Sequence, residues 1–363
     1  MVYTKEERCR MWLSYAEISI RKIEALLQVY GGAQTVWEAF GSDMEKPLGS
    51  CAYAALQKMH TEGAMEETLR QMEVLHIRAL FSDSEEYPPL LKSIPVPPPV
   101  LYASGDPEIL WGKTIAVVGT RAPSRYGRDM AREIARDLAR SGVTVVSGFA
   151  RGIDGAAHEG CLDGGGKTAA VMGCGLDIVY PPEHGELQKR ILDAGGVFLS
   201  EYPLGTGPLS YHFPDRNRIL SGMSQGMVFV EGRIKSGGMI TVGHALDQGR
   251  EVFAVPGPIN REGAEGPHKL LREGARLITC AADILEDMGW SAEDAGTHCT
   301  MPKTSGLSAE ERAVVALLQK EDLLFEELAQ SLSLPAAQLN SLLTILELTG
   351  IIKKSPGNLY SLS

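Results

Sequence analysis

Basic charge is scarce in this sequence. The chain has 35 Lys and Arg against 46 Asp and Glu, a formal net charge of −11 over 363 residues. That excludes a uniformly basic coat of the kind that binds polyanions over a whole surface. Long apolar runs are missing too: none reaches the ~20 residues needed to cross a bilayer. The opening MVYTKEERCRMWLSYAEIS carries acids where a secretory signal has an apolar centre. A cytoplasmic location with no membrane partner is expected. Paired cysteines are absent as well. Cys9, Cys51, Cys161, Cys174, Cys280 and Cys299 are scattered and form no CxxC. This argues against a zinc ribbon or a thioredoxin-type pair, and six reduced, inert thiols are expected. Finally, the chain lacks GxSxG, HExxH, a GxxxxGK[ST] loop and carboxylates clustered with His. No catalytic machinery, metal site or cofactor is indicated.

The charge that is present is unevenly placed. Residues 1–112 hold 10 basic and 16 acidic side chains, residues 113–279 hold 20 and 18, and residues 280–363 hold 5 and 12. The flanks are acidic and the centre is not, so a groove in the centre can be locally basic.

Three kinds of texture divide the chain. Residues 1–72 read as short helices. Ile18, Ile23, Leu26 and Leu27 recur at helical spacing, Gly31–Gly32 breaks the run, and Val36, Trp37 and Phe40 resume it. Residues 73–285 form the second part. They begin with prolines at 88–89, 95 and 97–99, which forbid continuous helix. Apolar β-branched runs then alternate with helical patterns: TIAVVG (114–119), VTVVSG (143–148), TAAVMG (168–173), VFLSE (197–201), MVFVEG (227–232), EVFAVPG (251–257) and ARLI (275–278). Such runs predict an α/β fold with a mostly parallel sheet buried on both faces. Ligands of open α/β sheets bind at the carboxyl edge. Residues 286–306 read as a linker. Residues 307–363 predict helix, helix, turn, helix and hairpin, the order of a winged helix, beginning with a Ser308/Glu311 capping box.

The first strand-to-helix turn, VVGTRAPSRYG, is not the GxGxxG dinucleotide fingerprint, and no acid ends the second strand. Gly119, Thr120, Arg121, Ser124 and Arg125 nevertheless lie before a helix start expected near Gly127. Backbone N–H groups, the helix dipole and guanidinium all favour an anion there. In SGFARGIDGAAHEG, the glycines 148, 152 and 155 allow close backbone approach, and Asp154 is expected to cap the next helix. His158 is read as packed and hydrogen-bonded, and Lys167 as an isolated solvated lysine. In FPDRNRILSGMSQG, Arg216, Asn217 and Arg218 are read as an extended segment before a short helix. One arginine would then face a ligand and the other brace the fold. Lys235, Ser236 and Gly237 open a further helix with a second anion-accepting start. Two or three such sites along one sheet edge suit a polyphosphate backbone. Phe149 and Phe213 are possible base-stacking groups. Asp177 and Glu201 end strands and are read as capping or arginine-pairing groups. The presumed recognition helix AAQLNSLLTILEL has no Lys or Arg, and only Lys353 and Lys354 in the hairpin are basic. Duplex readers use basic or amide side chains on that helix, so this module is expected to contact protein.

As an ordered set, VGTRAPSRYG, SGFARGIDGAAHEG, GGKTAAVMGCGLDIVYPPEH, LSEYPLG, FPDRNRILSGMS, SGGMIT and GREVFAVPG resemble the DNA-processing protein A (DprA/Smf) family over about residues 80–280. The resemblance implies an extended Rossmann-like core, with a SAM-like helical domain before it and a winged helix after it. It implies binding and protection of single-stranded DNA, loading onto the recombinase RecA during natural transformation, and a homodimer formed through the core. Carried over by position, the family's DNA contacts fall on Arg121, Lys167, Arg216, Arg218 and Lys235. Lys167 enters only through this match. One departure is visible: Gly238 stands where many members have a second serine. The main rival is a phosphoribohydrolase-like enzyme. Its Pro-Gly-Gly-x-Gly-Thr-x-x-Glu signature is not matched, since SGGMITVGH has no following Glu. A scaffold that binds only protein is the third reading.

Overall fold

The computed structural model describes residues 3–290, 308–318, 322–332, 334–348, 351–355 and 358–362. The linker expected at 286–306 falls mostly outside the described residues. The chain divides into two compact units, one N-terminal and one C-terminal.

In the N-terminal unit, helices come first: α1 (Lys5–Ser14), α2 (Ile20–Tyr30), α3 (Ala33–Glu38), α4 (Glu45–Leu48), α5 (Ser50–Met59) and α6 (Glu62–Val74). Thr4 and Glu7 cap α1 reciprocally, and Gly31 ends α2 at φ +84°. The proline-rich stretch supplies β1 (Ile77–Phe81), α7 (Pro89–Lys92) and β2 (Val100–Gly105). The alternating region then gives β3 (Thr114–Val118), α8 (Arg125–Arg140), β4 (Thr144–Ser147), α9 (Ile153–Asp163), β5 (Thr168–Val171), α10 (Gly185–Asp193), β6 (Val197–Ser200), α11 (His212–Gly222), β7 (Gly226–Phe229), α12 (Gly237–Asp247), β8 (Glu251–Ala254), α13 (Glu265–Arg272), β9 (Arg276–Leu277) and α14 (Ala281–Asp287). All seven predicted core strands are present.

The nine strands form one sheet in the order β1-β2-β6-β5-β4-β3-β7-β8-β9. Pairing is parallel from β6 to β9, and only the β1–β2 and β2–β6 ladders are antiparallel. Every residue of β3 through β7 is buried, because helices cover both faces. Alternate side chains feed the two layers. Ile115 and Val117 pack with Ile134, Leu138 and Ala157 of α8 and α9. Ala116 and Val118 pack with Ile219, Leu220 and Val242 of α11 and α12. The N-terminal helices share a third cluster with β1, β2, Phe149 and Phe198.

The chain begins the parallel core at β3, runs outward to β6, and returns to lay β7 against β3 on the other side. The strand order therefore reverses between β3 and β7. Outside the carboxyl ends at such a reversal lies a crevice where open α/β sheets take ligands.

The C-terminal unit consists of α15 (Ala309–Leu318), β10 (Leu323–Leu324), α16 (Phe325–Leu332), α17 (Ala336–Leu348), β11 (Ile352–Ser355) and β12 (Leu359–Leu362). Its three strands pair in the order β10-β12-β11 around a core containing Val314, Leu328, Leu343 and Tyr360. Ser308 and Glu311 form the expected reciprocal cap at α15. This is a winged helix. Among the described residues no helix is long and apolar enough to cross a membrane. Cys9, Cys51, Cys161 and Cys174 are free. Cys280 is disulfide-bonded, which corrects the expectation of six reduced thiols. Cys299 lies outside the described residues.

The α8–α9 contact sets how closely these helices lie on the sheet. A Cβ added to Gly160 would sit 2.1 Å from the Arg132 carbonyl oxygen, and one on Gly164 2.4 Å from that of Arg136. These contacts are backbone, so they cannot swing aside. Gly160→Ala is expected to destabilise the protein by about 1–3 kcal/mol, the usual cost of overpacking. Urea denaturation measures it, and an unchanged midpoint would refute the close-packing account.

Candidate functional site

The loops after β3 and β7 meet at the strand-order reversal. Thr120 donates its N–H to the Glu231 carbonyl at 2.7 Å. A Cβ on Gly119 would clash with that same oxygen at 2.7 Å, and one on Gly238 would meet the Phe229 ring at 2.7 Å and Gly119 Cα at 3.6 Å. The glycines thus let the first loop, the second loop and the start of α12 share one floor.

Glu231 organises this floor, and the sequence reading passed over it. Its carboxylate accepts the Ser124 N–H at 3.1 Å and the Ser124 hydroxyl at 2.8 Å. Ser124 in turn accepts the Gly127 N–H at 3.1 Å as the cap of α8. A Cβ at Gly127 or Gly263 would collide with the Glu231 carboxylate. The N-terminus of α8 therefore already holds an anion supplied by the protein. The helix starts at Arg125, two residues earlier than the sequence suggested, because Ser124 caps it.

Arg121 is exposed, with its guanidinium over the face of Phe213 at 5.2 Å. Together with Arg151, Tyr180, Pro181 and the backbone of Gly148 and Gly173 these side chains line a depression at the carboxyl edge. Arg151 follows β4 in the glycine loop and pairs with Glu183. Its place just past a strand end was the available signal. Lys235 is exposed beside Ser236, the cap position of α12. Asn217 contacts the Gly237 carbonyl at 3.5 Å and ties α11 to α12.

The structure corrects the reading of residues 216–218. They lie within α11, not in an extended segment. Arg216 and Arg218 are two apart on a helix and point in different directions for that reason. Arg216 is 3 % exposed. It donates to the Gly148 carbonyl at 2.6 Å and to that of Val171, so it joins the ends of β4 and β5. Burial lowers its pKa to about 10, opposed by the nearby Asp154 charge, and it stays cationic at neutral pH. Asp154 was expected to cap α9, but Gly152 holds that position at φ +80°. Asp154 sits in the first turn and accepts the N–H groups of Gly148 and Ala150 at 3.1 and 3.4 Å. Its burial raises its pKa, against the pull of Arg216 and those hydrogen bonds. Arg218 is mostly buried and bidentate to Glu201, at 2.8 and 2.6 Å. That is the arginine-pairing role read for Glu201. Asp177 accepts the Gly205 N–H at 3.0 Å.

Two further residues are placed away from the crevice. Lys167 precedes β5, whereas Arg121 follows β3, and those strands run parallel. Lys167 therefore lies at the amino edge, 3.7 Å from Asp106. The structure does not bring it to the other candidates. Phe149 has φ +56° and no exposed surface, and packs edge-on to Phe198 and His184. It presents no face for a base. Phe213 does reach the depression, beneath Arg121. Among the described residues no three metal-ligating side chains cluster.

His158 is buried, as expected. Thr168 donates its hydroxyl to the Val145 carbonyl at 2.7 Å, so His158 Nδ1 must donate to the Thr168 oxygen at 2.7 Å. Nε2 is left without a partner. Burial, with Arg216 and His184 nearby, holds the ring's pKa down to about 3. The folded protein thus refuses a proton that the unfolded chain accepts below about pH 6.5. Stability from this residue is complete above that value and is lost as pH falls toward 3, at up to about 1.4 kcal/mol per pH unit. Denaturation at pH 7, 6, 5 and 4 should show a shallower loss in His158→Gln than in the unaltered protein. Parallel curves would contradict this account.

The matches to known proteins agree with this architecture. Residues 78–289 match the family model described as DNA recombination-mediator protein A, and residues 300–358 match the DprA winged helix domain. The chain is 38 % identical to Protein Smf of Escherichia coli over 298 residues, covering 81 % of this chain and 80 % of that protein. It is 44 % identical to DNA processing protein DprA of Bacillus subtilis over 206 residues, 56 % of this chain and 69 % of that one. The X-ray structure of DNA processing protein A from Streptococcus pneumoniae superposes with a TM-score of 0.66 at 32 % identity, over 79 % of this chain and 99 % of that one. A Helicobacter pylori structure, described for the single-stranded DNA binding mode of DNA processing protein A, gives 0.53 at 29 % identity, over 59 % and 96 %. The chain belongs to the DNA-processing protein A family.

Proposed function

We propose that this protein binds single-stranded DNA across the crevice where the β3 and β7 loops meet, as a binding protein and not an enzyme. The observation that carries the reading is the pairing of an exposed Arg121 with an exposed Lys235 beside a glycine-lined floor. Neither has a carboxylate within ion-pair distance among the described residues. A phosphate backbone supplies the anions such a surface lacks. The single-stranded DNA named for the Helicobacter pylori relative supports the choice of strand. Thr120, Asn217, Ser236 and Gly237 border the same floor and are the proposed polar contacts. Ser124 takes part through the loop that it anchors. Arg216 and Arg218 act from behind, by holding α11 in place. A binding role also accords with Asp177 and Glu201, whose carboxylates are committed to Gly205 and Arg218.

The family resemblance extends this reading. The bound strand would be protected and passed to RecA during transformation, by a homodimer formed through the core in the cytoplasm. The winged helix would contact protein. No Lys or Arg lies on α17, and Lys354 rests over Tyr360 of its own sheet.

Fluorescence anisotropy with single- and double-stranded oligonucleotides tests the site. Single strands should bind more tightly, and log affinity should fall linearly with log salt. Arg121→Ala should weaken binding by roughly tenfold or more, the worth of a charge-assisted contact of about 1.5–3 kcal/mol, without lowering the melting temperature. Lys167→Ala, at the opposite edge, should bind like the unaltered protein. Equal binding by Arg121→Ala would rule out this crevice, and a loss in Lys167→Ala alone would move the site to the amino edge.

A further inference from the structure

The strands β3, β7 and β8 are neighbours in the sheet and run parallel. Their carboxyl ends therefore lie in a row, about 4.8 Å apart from strand to strand. The loop after each carries an exposed cation that has no carboxylate within ion-pair distance among the described residues: Arg121 after β3, Lys235 after β7 and Arg261 after β8. The adjacent Glu262 is turned to Arg233 instead. The row of uncommitted cations thus runs one strand beyond the crevice.

Beside Arg261 lies a pocket of about 430 Å³, a volume in the range of small-ligand sites. It adjoins the crevice, because Ser124 and Glu231 line it as well. Its walls are mainly apolar, built from Val230, Val255, Pro258 and Pro267 with the ring of Tyr126. Tyr126 is exposed, and its hydroxyl donates to the Pro256 carbonyl at 2.8 Å, which ties the ring to the loop after β8.

We propose that the DNA strand continues from the crevice to Arg261 and places one of its bases in this pocket, against Tyr126. The inference deepens the DNA-binding reading and rests on it. The charges decide which part of a nucleotide goes where. A phosphate inside the pocket would meet the Glu231 carboxylate with like charge, whereas at Arg261 it meets a cation. Every base carries N–H donors on an exocyclic amino group or a ring imino nitrogen, and Glu231 accepts. Apolar walls and an aromatic ring suit a base of any sequence, because each base has a π-face to stack. A purely apolar ligand would use the walls but leave Arg261 without an anion.

Fluorescence anisotropy of the full chain with a labelled thymidine oligonucleotide tests the path. Arg261→Ala should weaken binding about three- to tenfold and reduce the slope of log affinity against log salt by about 0.7, the share of one phosphate on a single strand, with an unchanged melting temperature. Tyr126→Ala should lose about fivefold or more, the lower end of what stacking contributes per base. Tyr126→Phe keeps the ring and should bind like the unaltered protein. A 5-iodouracil strand irradiated on the unaltered protein should crosslink to the peptide holding Tyr126, a readout independent of how Tyr126→Ala folds. Full affinity in Arg261→Ala or in Tyr126→Ala, with Arg121→Ala weakened, would overturn this extension and leave the crevice standing. Full affinity in all three would overturn both, and crosslinks confined to other peptides would overturn the base pocket.

Discussion

A single buried guanidinium holds the functional edge of this protein together. Arg216 reaches from α11 to the carbonyl ends of β4 and β5, and Asp154 answers its charge from the first turn of α9. Four elements, the consecutive β4, α9 and β5 and the more distant α11, are thereby fixed at one point. The arrangement needs Gly148, where a Cβ would meet Asp154 at 2.6 Å and Arg216 at 2.7 Å. The two charges act on each other without direct contact, and removing either leaves the other buried with less to answer it, which is costly. The group is therefore all-or-none, and the loop carrying Arg151 and the floor under Arg121 inherit its rigidity.

Glu231 does the same for the other half of the crevice. It anchors the loop after β3 from the end of β7, across the point where strand order reverses. Its carboxylate also occupies the anion position at the start of α8. What remains exposed is a basic rim, not a classical phosphate pocket. This explains how an acidic chain presents a surface suited to a polyanion. Many of its acids are turned inward or paired, as Asp154, Glu231, Glu201 and Glu183 are, while Arg121 and Lys235 stay exposed.

Much of the candidate site's place at the strand ends was legible in the sequence, and less of how its side chains are buried and paired. VVGTRAPS announced a loop at a strand end, and MVFVEGRIKSGG announced another. Neither stretch says that β7 lies against β3, which is what joins them. FPDRNR was read as extended, yet it is helical and includes Pro214. The proline is tolerated because it lies in the first turn of α11, where its missing N–H has no intrahelical partner to lose. Lys167, a bland solvated lysine by its own sequence context, was set beside Arg121 only by the family match. A lysine before a strand and an arginine after one face opposite edges once the strands are parallel.

By itself the sequence determined the run of strands and helices, the buried character of the sheet, the cap at Ser308, the winged-helix order and the family. These depend on local periodicity and short-range hydrogen bonds, which neighbouring residues specify. Only the tertiary structure decided which charges are free. Arg121, Arg216 and Arg218 are the same residue type within one motif set. One is exposed over an aromatic ring, one is sealed beneath the strand ends, and one is locked to Glu201. Burial and pairing come from residues far away in the chain, so the chain's order cannot assign them.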